Sequence, residues 1–146
     1  TEAELAGEMS GHFFFRERWY GFDDGLYAAA RLLEILSTRG ETPQEVFDTL
    51  PKGVSTPELK IHVEEGEQYV FIEKFVAAAK FEGARIATID GVRADWPDGW
   101  GLVRASNTTP VLVLRFDAKD TESLERIKRV FREQLLAVQP GLDLPF

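Results

Sequence analysis

The stretch from residue 84 to residue 117 divides into four strand-like runs that are separated only by short turns. The runs lie near 84–89, 91–96, 100–105 and 110–117. Asp90-Gly91 and Pro97-Asp98-Gly99 have the composition of hairpin turns. Strands joined by turns this short pair antiparallel, because parallel pairing needs a crossover of a dozen or more residues. This region therefore predicts an antiparallel sheet.

One further strand and two helices flank these runs. Leu59, Ile61 and Val63 alternate with polar residues, which is typical of a half-buried strand. Helices are predicted over about 67–80 and 120–138, each with an apolar stripe. The predicted stripes are Ile72, Phe75, Val76 and Ala79 in the first helix, and Leu124, Ile127, Phe131, Leu135 and Val138 in the second. Residues 58–146 thus predict an α+β domain, whose antiparallel sheet of four strands or slightly more carries helices on one face.

The first 50 residues predict the end of an α/β domain. Residues 1–6 are interpreted as the tail of a helix, and Phe13-Phe14-Phe15 is typical of a strand buried on both faces. Two helices follow, one capped by Asp23 or Asp24 and ended by Gly40, the other opened by the capping box Thr42-Pro43-Gln44-Glu45. The predicted buried stripe of the first helix is Leu26, Ala29, Leu33 and Leu36. One buried strand and two helices cannot make a sheet covered on both faces, so we expect the front of this domain to lie upstream.

A segment rich in proline separates the two regions. Residues 51–57 begin and end with proline and contain Gly53. This composition is typical of a domain boundary and predicts a hinge linker.

Composition excludes several classes of function. The net charge of −8 disfavours nucleic acid and anionic lipid as partners, because both attract clustered Lys and Arg. The absence of cysteine excludes disulfides and thiolate metal sites, and two histidines are too few for a multi-histidine zinc site. No run is apolar enough for a membrane span, and because no basic segment followed by an apolar one is visible, we expect no secretory leader. We expect a cytoplasmic protein.

Residues 104–110 concentrate groups that bind phosphate. Arg104 is followed by three hydroxyls and one amide, just before an apolar run. A guanidinium holds phosphate through two charge-assisted hydrogen bonds, and short polar side chains can surround the remaining oxygens. The same Ser/Asn/Thr/Pro composition is also that of an ordinary turn, so both interpretations stay open at this point.

A second polar cluster is formed by Glu8, Ser10 and His12 within a loop bracketed by glycines. A carboxylate that accepts two O–H bonds suits the vicinal hydroxyls of a sugar, and histidine can move a proton near neutral pH. A solvated connection between two elements is the alternative. The sequence contains no Asp-x-Asp-x-Asp run, no Walker loop and no Ser-His pair.

Taken together, Gly7-Glu8-Met9-Ser10-Gly11-His12 and Arg104-Ala105-Ser106-Asn107-Thr108-Thr109-Pro110 resemble the α-D-phosphohexomutase family, and within it the bacterial phosphomannomutase/phosphoglucomutase group. Phe22-Asp23-Asp24-Gly25 and Trp100-Gly101-Leu102-Val103 are similar as well. The resemblance runs along the whole chain. It implies the end of the third domain and all of the fourth domain of a four-domain enzyme.

The resemblance also implies a set of site residues. The implied sugar-binding loop consists of Glu8, Met9, Ser10, Gly11 and His12, with His12 as a candidate for proton transfer. The implied phosphate ligands are Arg104, Ala105, Ser106, Asn107 and Thr108. No other catalytic residue and no metal ligand is implied within this chain.

The implied reaction interconverts hexose 1-phosphates and hexose 6-phosphates of mannose or glucose through a bisphosphorylated sugar. In this family the phosphoserine loop and the Mg²⁺ loop belong to the first two domains, so Mg²⁺ is implied for the full-length enzyme only. We therefore expect this piece to bind substrate but to be inactive alone. The alternatives are a free-standing phosphosugar-binding module, and an interaction domain that self-associates through Phe13–Phe15.

Overall fold

The computed structural model describes residues 3–8 and 10–146, which form two compact units that divide between Pro51 and Lys52. The first unit contains strands β1 (Leu5–Gly7) and β2 (Phe13–Phe15) and helices α1 (Gly25–Thr38) and α2 (Pro43–Asp48). The second unit contains strands β3 (Val54–Ser55), β4 (Leu59–His62), β5 (Arg85–Ala87), β6 (Val92–Trp96), β7 (Gly99–Ala105) and β8 (Val111–Ala118). Its helices are α3 (Glu67–Ala78) and α4 (Thr121–Val138).

The second unit is built on one six-stranded antiparallel sheet. Its strand order is β3-β8-β7-β6-β5, and β4 also pairs with β8. β7 and β8 form the longest pairing, from Gly99 opposite Ala118 to Ala105 opposite Leu112. The antiparallel sheet predicted from the short turns is confirmed, with two strands more than the minimum of four.

Helices α3 and α4 cover one face of this sheet and pack against each other. The core lies between them and alternate residues of the strands, among them Val103, Leu114 and Phe116. The predicted α4 stripe is confirmed, since four of its members are buried and Val138 packs against them. None of the helices among the described residues is long and apolar enough to cross a membrane.

The predicted stripe of α3 is correct at Ile72, Phe75 and Ala79, which lie in or against the core, and wrong at Val76. Phe75 is buried as expected, and Ile72 packs against the core, but Val76 is exposed. Gln68 and Phe71 are buried in its place. Positions 68, 71 and 75 form their own helical stripe, and the aromatic ring of Phe71 directs that side of the helix inward.

The segment predicted as a linker is partly built into the sheet. Val54 and Ser55 pair with Ala118 and Asp117, and the backbone N–H of Thr56 donates to the carbonyl of Phe116 at 3.0 Å. β3 and β4 therefore follow one another along the same edge of β8. A hinge in this segment would have to turn at the residues that precede β3.

The start of the first unit differs from the prediction. Leu5 and Ala6, predicted within a helix tail, form with Gly7 a strand that pairs antiparallel with Phe13–Phe15. Residues 1, 2 and 9 lie outside the described part. β2 is not buried on both faces, because Phe13 is 44% exposed and its two neighbours are half-buried. Among the described residues, only β1 and a bridge from Asp23 to Phe14 pair with it.

The two helices of the first unit have the predicted N-terminal caps, and they end at Thr38 and Asp48. Asp24 caps α1 through its side chain, which accepts from the N–H groups of Leu26 and Tyr27, and Thr42 and Glu45 form the reciprocal capping box of α2. The predicted apolar stripe of α1 is wrong in this unit, because no residue of the helix is buried and Leu26 is 87% exposed.

Candidate functional site

Arg104 lies at the end of β7, on the sheet face opposite the helices. Its neighbours Val103 and Ala105 are buried, so the alternation along the strand directs the arginine side chain outward. The Nη1 atom donates to the carbonyl of Ala105 at 3.3 Å and lies 3.7 Å from the Oδ2 atom of Asp90. One third of the side chain is exposed. The guanidinium therefore has most of its donors available for an external anion.

The turn after β7 is held in shape by the buried Ser106. Its Oγ atom accepts from the backbone N–H groups of Thr108 and Thr109 at 3.4 and 3.3 Å. The same oxygen lies 3.0 Å from the Oγ1 atom of Thr109, and the backbone N–H of Ser106 donates to the carbonyl of Val111. Ser106 thus faces into the turn, whereas Asn107 and Thr108 are exposed. The hydrogen bonds of Ser106 therefore fix the shape of the turn.

An open cleft lies beside this turn. Residues 107–110 line one wall, and the segment from Glu65 to Tyr69 lines the other. Its volume is about 270 Å³. Arg104 is not one of the lining residues, so the structure does not bring its guanidinium into the cleft to which residues 107–110 contribute.

The second predicted loop is organised around His12. The Nδ1 atom of His12 lies 2.6 Å from the Oε1 atom of Glu8 and 3.2 Å from the Oγ atom of Ser10. Backbone bonds from the N–H of Glu8 to the carbonyl of His12 and from the N–H of Gly11 to the carbonyl of Glu8 close the loop. Gly11 has a φ of 88°, which glycine adopts without strain. The structure thus brings three of the predicted sugar-binding side chains together; Met9 lies outside the described residues.

Asp23 also belongs to this cluster. Its Oδ2 atom lies 3.9 Å from the Nε2 atom of His12, on the other side of the ring from Glu8. The sequence indicated Asp23 only as a helix cap, yet Asp24 makes the capping bonds. The one available signal was that two adjacent aspartates preceded a helix that needs only one cap.

The two carboxylates favour the protonated form of His12. Its pKa lies above the ordinary value, first because of the hydrogen bond to Glu8 and then because of the charge of Asp23. A histidine with a raised pKa stays charged over a wider range of pH and can donate from both ring nitrogens.

Replacing Glu8 by Gln is expected to lower the pKa of His12, because the glutamine amide offers no negative charge. The midpoint of the His12 ring signals in an NMR pH titration measures this change. Asp23→Asn should lower the midpoint less. Glu41→Gln is the control, because it removes the same charge from the residue just before the N-cap of α2, and it should leave the midpoint unchanged. An unchanged midpoint in the Glu8 variant would show that the cluster does not govern the protonation of His12.

The comparisons with known proteins cover both units. Residues 58–134 match "Phosphoglucomutase/phosphomannomutase, C-terminal domain", and residues 1–53 match "Phosphoglucomutase/phosphomannomutase, alpha/beta/alpha domain III". The chain belongs to the phosphoglucomutase/phosphomannomutase family. The resemblance that rested on two loops is thereby confirmed, and so is the α+β fold class.

Several relatives match nearly the whole chain. A phosphomannomutase/phosphoglucomutase of Pseudomonas aeruginosa is 59% identical over 146 residues, which are 100% of this chain and 32% of that protein. A phosphoglucomutase of Neisseria gonorrhoeae is 60% identical over 134 residues, 90% of this chain and 29% of that protein. The crystal structure of a phosphoglucomutase/phosphomannomutase family protein from Burkholderia thailandensis has a TM-score of 0.87 at 55% identity, covering 99% of this chain and 30% of that one. The chain therefore spans about a third of the length of these relatives.

The described residues offer no metal site. No group of three or more His, Asp or Glu side chains among them is arranged to hold an ion. The Mg²⁺ implied for a full-length enzyme therefore does not fit the residues of this part of the molecule. The carboxylates of the His12 cluster face an imidazole instead.

Proposed function

We propose that this chain is the C-terminal part of a phosphomannomutase/phosphoglucomutase and supplies ligands for the phosphate and the hydroxyls of a phosphohexose. The full-length enzyme would interconvert hexose 1-phosphate and hexose 6-phosphate through a bisphosphorylated sugar. The names of the relatives support this reaction class. The observation that carries the proposal is the loosely paired guanidinium of Arg104, two residues before a turn that the hydrogen bonds of Ser106 hold in shape.

The phosphate would be held mainly by Arg104. Two parallel N–H bonds from its guanidinium can reach two phosphate oxygens, and the exposed side chains of Asn107 and Thr108 can reach a third. Ser106 would act through the shape of the turn, because its hydroxyl already accepts two backbone N–H bonds. Ala105 is buried and would contribute only its backbone.

The sugar would be held by the loop around His12. The carboxylate of Glu8 has two oxygens, so it can accept from a sugar hydroxyl while it also accepts from His12. Ser10 can donate or accept. His12 is the candidate for moving a proton at the hydroxyl that gains or loses the phosphoryl group, since the hydrogen bond to Glu8 and the charge of Asp23 raise its pKa and its side chain is exposed.

We also propose that the 146 residues alone bind without turnover. Phosphoryl transfer needs groups that position and neutralise the moving phosphoryl, and the family's phosphoserine and Mg²⁺ loops are not in this sequence. In the full-length protein, bound Mg²⁺ would supply that neutralisation.

A ¹⁵N chemical-shift titration of the chain with glucose 1-phosphate tests the binding proposal. We expect the shifts to lie at residues 8–12 and 104–108 and at residues 90 and 91, which contact Arg104, with weak affinity because the chain supplies only some of the ligands. Inorganic phosphate should shift the 104–108 signals and their contacts at 90 and 91, and glucose only the 8–12 signals. The absence of shifts at both loops would contradict the assignment, and glucose 6-phosphate formed by the chain alone would contradict the proposed inactivity.

A further inference from the structure

The turn between β5 and β6 packs directly against Arg104. Gly91 in this turn has a φ of 75°, a conformation that side chains other than glycine rarely adopt. A Cβ atom at this position would overlap the carbonyl oxygen of Val103 and would lie 2.6 Å from the Cα and 2.8 Å from the Cβ of Arg104. Two independent constraints therefore demand glycine where the turn touches the arginine.

The preceding residue, Asp90, faces the guanidinium without bonding to it. Its Oδ2 atom lies 3.7 Å from the Nη1 atom of Arg104, which is an ion pair but too long for a hydrogen bond. Two thirds of the Asp90 side chain is exposed, so little packing holds the carboxylate there. Among the residues that the structure describes, it is the only carboxylate within 4 Å of this guanidinium.

We propose that the Asp90-Gly91 turn positions Arg104 and sets the strength of the phosphate site, with Asp90 as an internal anion that competes with bound phosphate. This inference rests on the proposed function. Gly91 allows the turn to fix the backbone from which the guanidinium extends. Asp90 partly neutralises the guanidinium in the free protein, and its carboxylate repels any phosphate that takes its place.

A moderate affinity suits the reaction proposed above. A bisphosphorylated sugar that turns round between two transfers must leave the receptor once in every cycle. A site in which phosphate replaces a weakly held carboxylate gives up its ligand more easily than one with an unpaired arginine. The loose geometry of the pair, 3.7 Å with both side chains partly exposed, keeps this competition small and reversible.

The test is a ¹⁵N titration of the 146-residue chain with inorganic phosphate at fixed pH and ionic strength. Asp90→Asn should bind phosphate about two- to five-fold more tightly, the range expected for removal of one exposed ion pair. Asp117→Asn is the matched control, because it removes the same charge from the same sheet. Asp117 lies four residues along β8 from Val113, the partner of Arg104, or about 14 Å away. The Asp117→Asn variant should therefore bind phosphate with the same affinity as the original chain.

Gly91→Ala tests the positioning role. It should weaken phosphate binding by about ten-fold or more, because the displaced turn moves Arg104. If the Gly91→Ala variant does not fold, the phosphate affinity of Asp90→Asn alone tests whether this turn sets the strength of the phosphate site. Unchanged or weaker binding by Asp90→Asn, with the phosphate response still lost in Arg104→Ala, overturns this inference and leaves the proposed function standing. No response at residues 104–108 in any of these proteins overturns both.

Discussion

Replacing Arg104 by Ala in a full-length enzyme that contains this chain is expected to raise the KM for a hexose 1-phosphate about 100-fold. The guanidinium is the only strong cation of the 104–110 loop, and two charge-assisted hydrogen bonds contribute together about 3 kcal/mol, which corresponds to that factor. The phosphate held here would be the one that stays on the sugar. The lost interaction is therefore shared by ground state and transition state, and kcat should fall much less than KM rises.

Two further variants separate the geometry of Arg104 from its charge. Arg104→Lys keeps the charge but loses the planar pair of donors, so its KM should lie between those of the original enzyme and the alanine variant. Arg85→Ala removes an arginine from β5 of the same sheet, where the side chain is 86% exposed, and it should leave KM unchanged. Steady-state kinetics measure all three. An unchanged KM in Arg104→Ala would show that this loop does not hold the phosphate.

The second unit could be predicted in outline because its local signals agree with its tertiary contacts. The Asp90-Gly91 and Pro97-Asp98-Gly99 turns allowed only antiparallel pairing, and the α4 stripe found its buried partners within the same unit. The pairing of Val54 and Ser55 with the end of β8 could not be predicted, because a strand of two residues is too short to show a strand period.

The first unit was harder to predict because its apolar residues have few partners among the described elements. The apolar pattern of α1 is real, but a stripe is buried only where another element covers it. Leu33 is 65% exposed here. Leu5 and Ala6 are predicted as part of a helix tail, although six residues are too few to show a helical period; pairing with β2 determines their conformation.

The candidate site shows the same division between local and distant information. The composition of the two loops was visible in the sequence, and so was the family they resemble. The contacts of Asp23 with His12 and of Asp90 with Arg104 join residues 11 and 14 positions apart, and only the folded chain brings them together. The inward orientation of Ser106 was equally hidden, since a serine in a turn can face solvent or the backbone.

Replacing Phe131 by Ala is expected to destabilise the second unit by about 3–5 kcal/mol, the usual cost of removing a fully buried phenylalanine. Phe131 belongs to α4, and its ring is completely buried. The distance between ring centroids is 4.6 Å to Phe81 and 5.3 Å to Phe116. The ring also lies over Gly101, where even a Cβ atom would overlap it. The backbone of β7 is therefore in direct contact with the ring, and the cavity would open beneath the strand that carries Arg104.

Urea unfolding followed by circular dichroism measures this loss as a lower midpoint with a similar slope. Ile89→Ala is the control, because it removes an apolar side chain that is 99% exposed and should change the free energy of unfolding by less than about 0.5 kcal/mol. A loss below about 1 kcal/mol in Phe131→Ala would mean that the core collapses onto the gap. In that case β7 does not depend on this ring for its position, and the packing described here does not hold the phosphate loop in place.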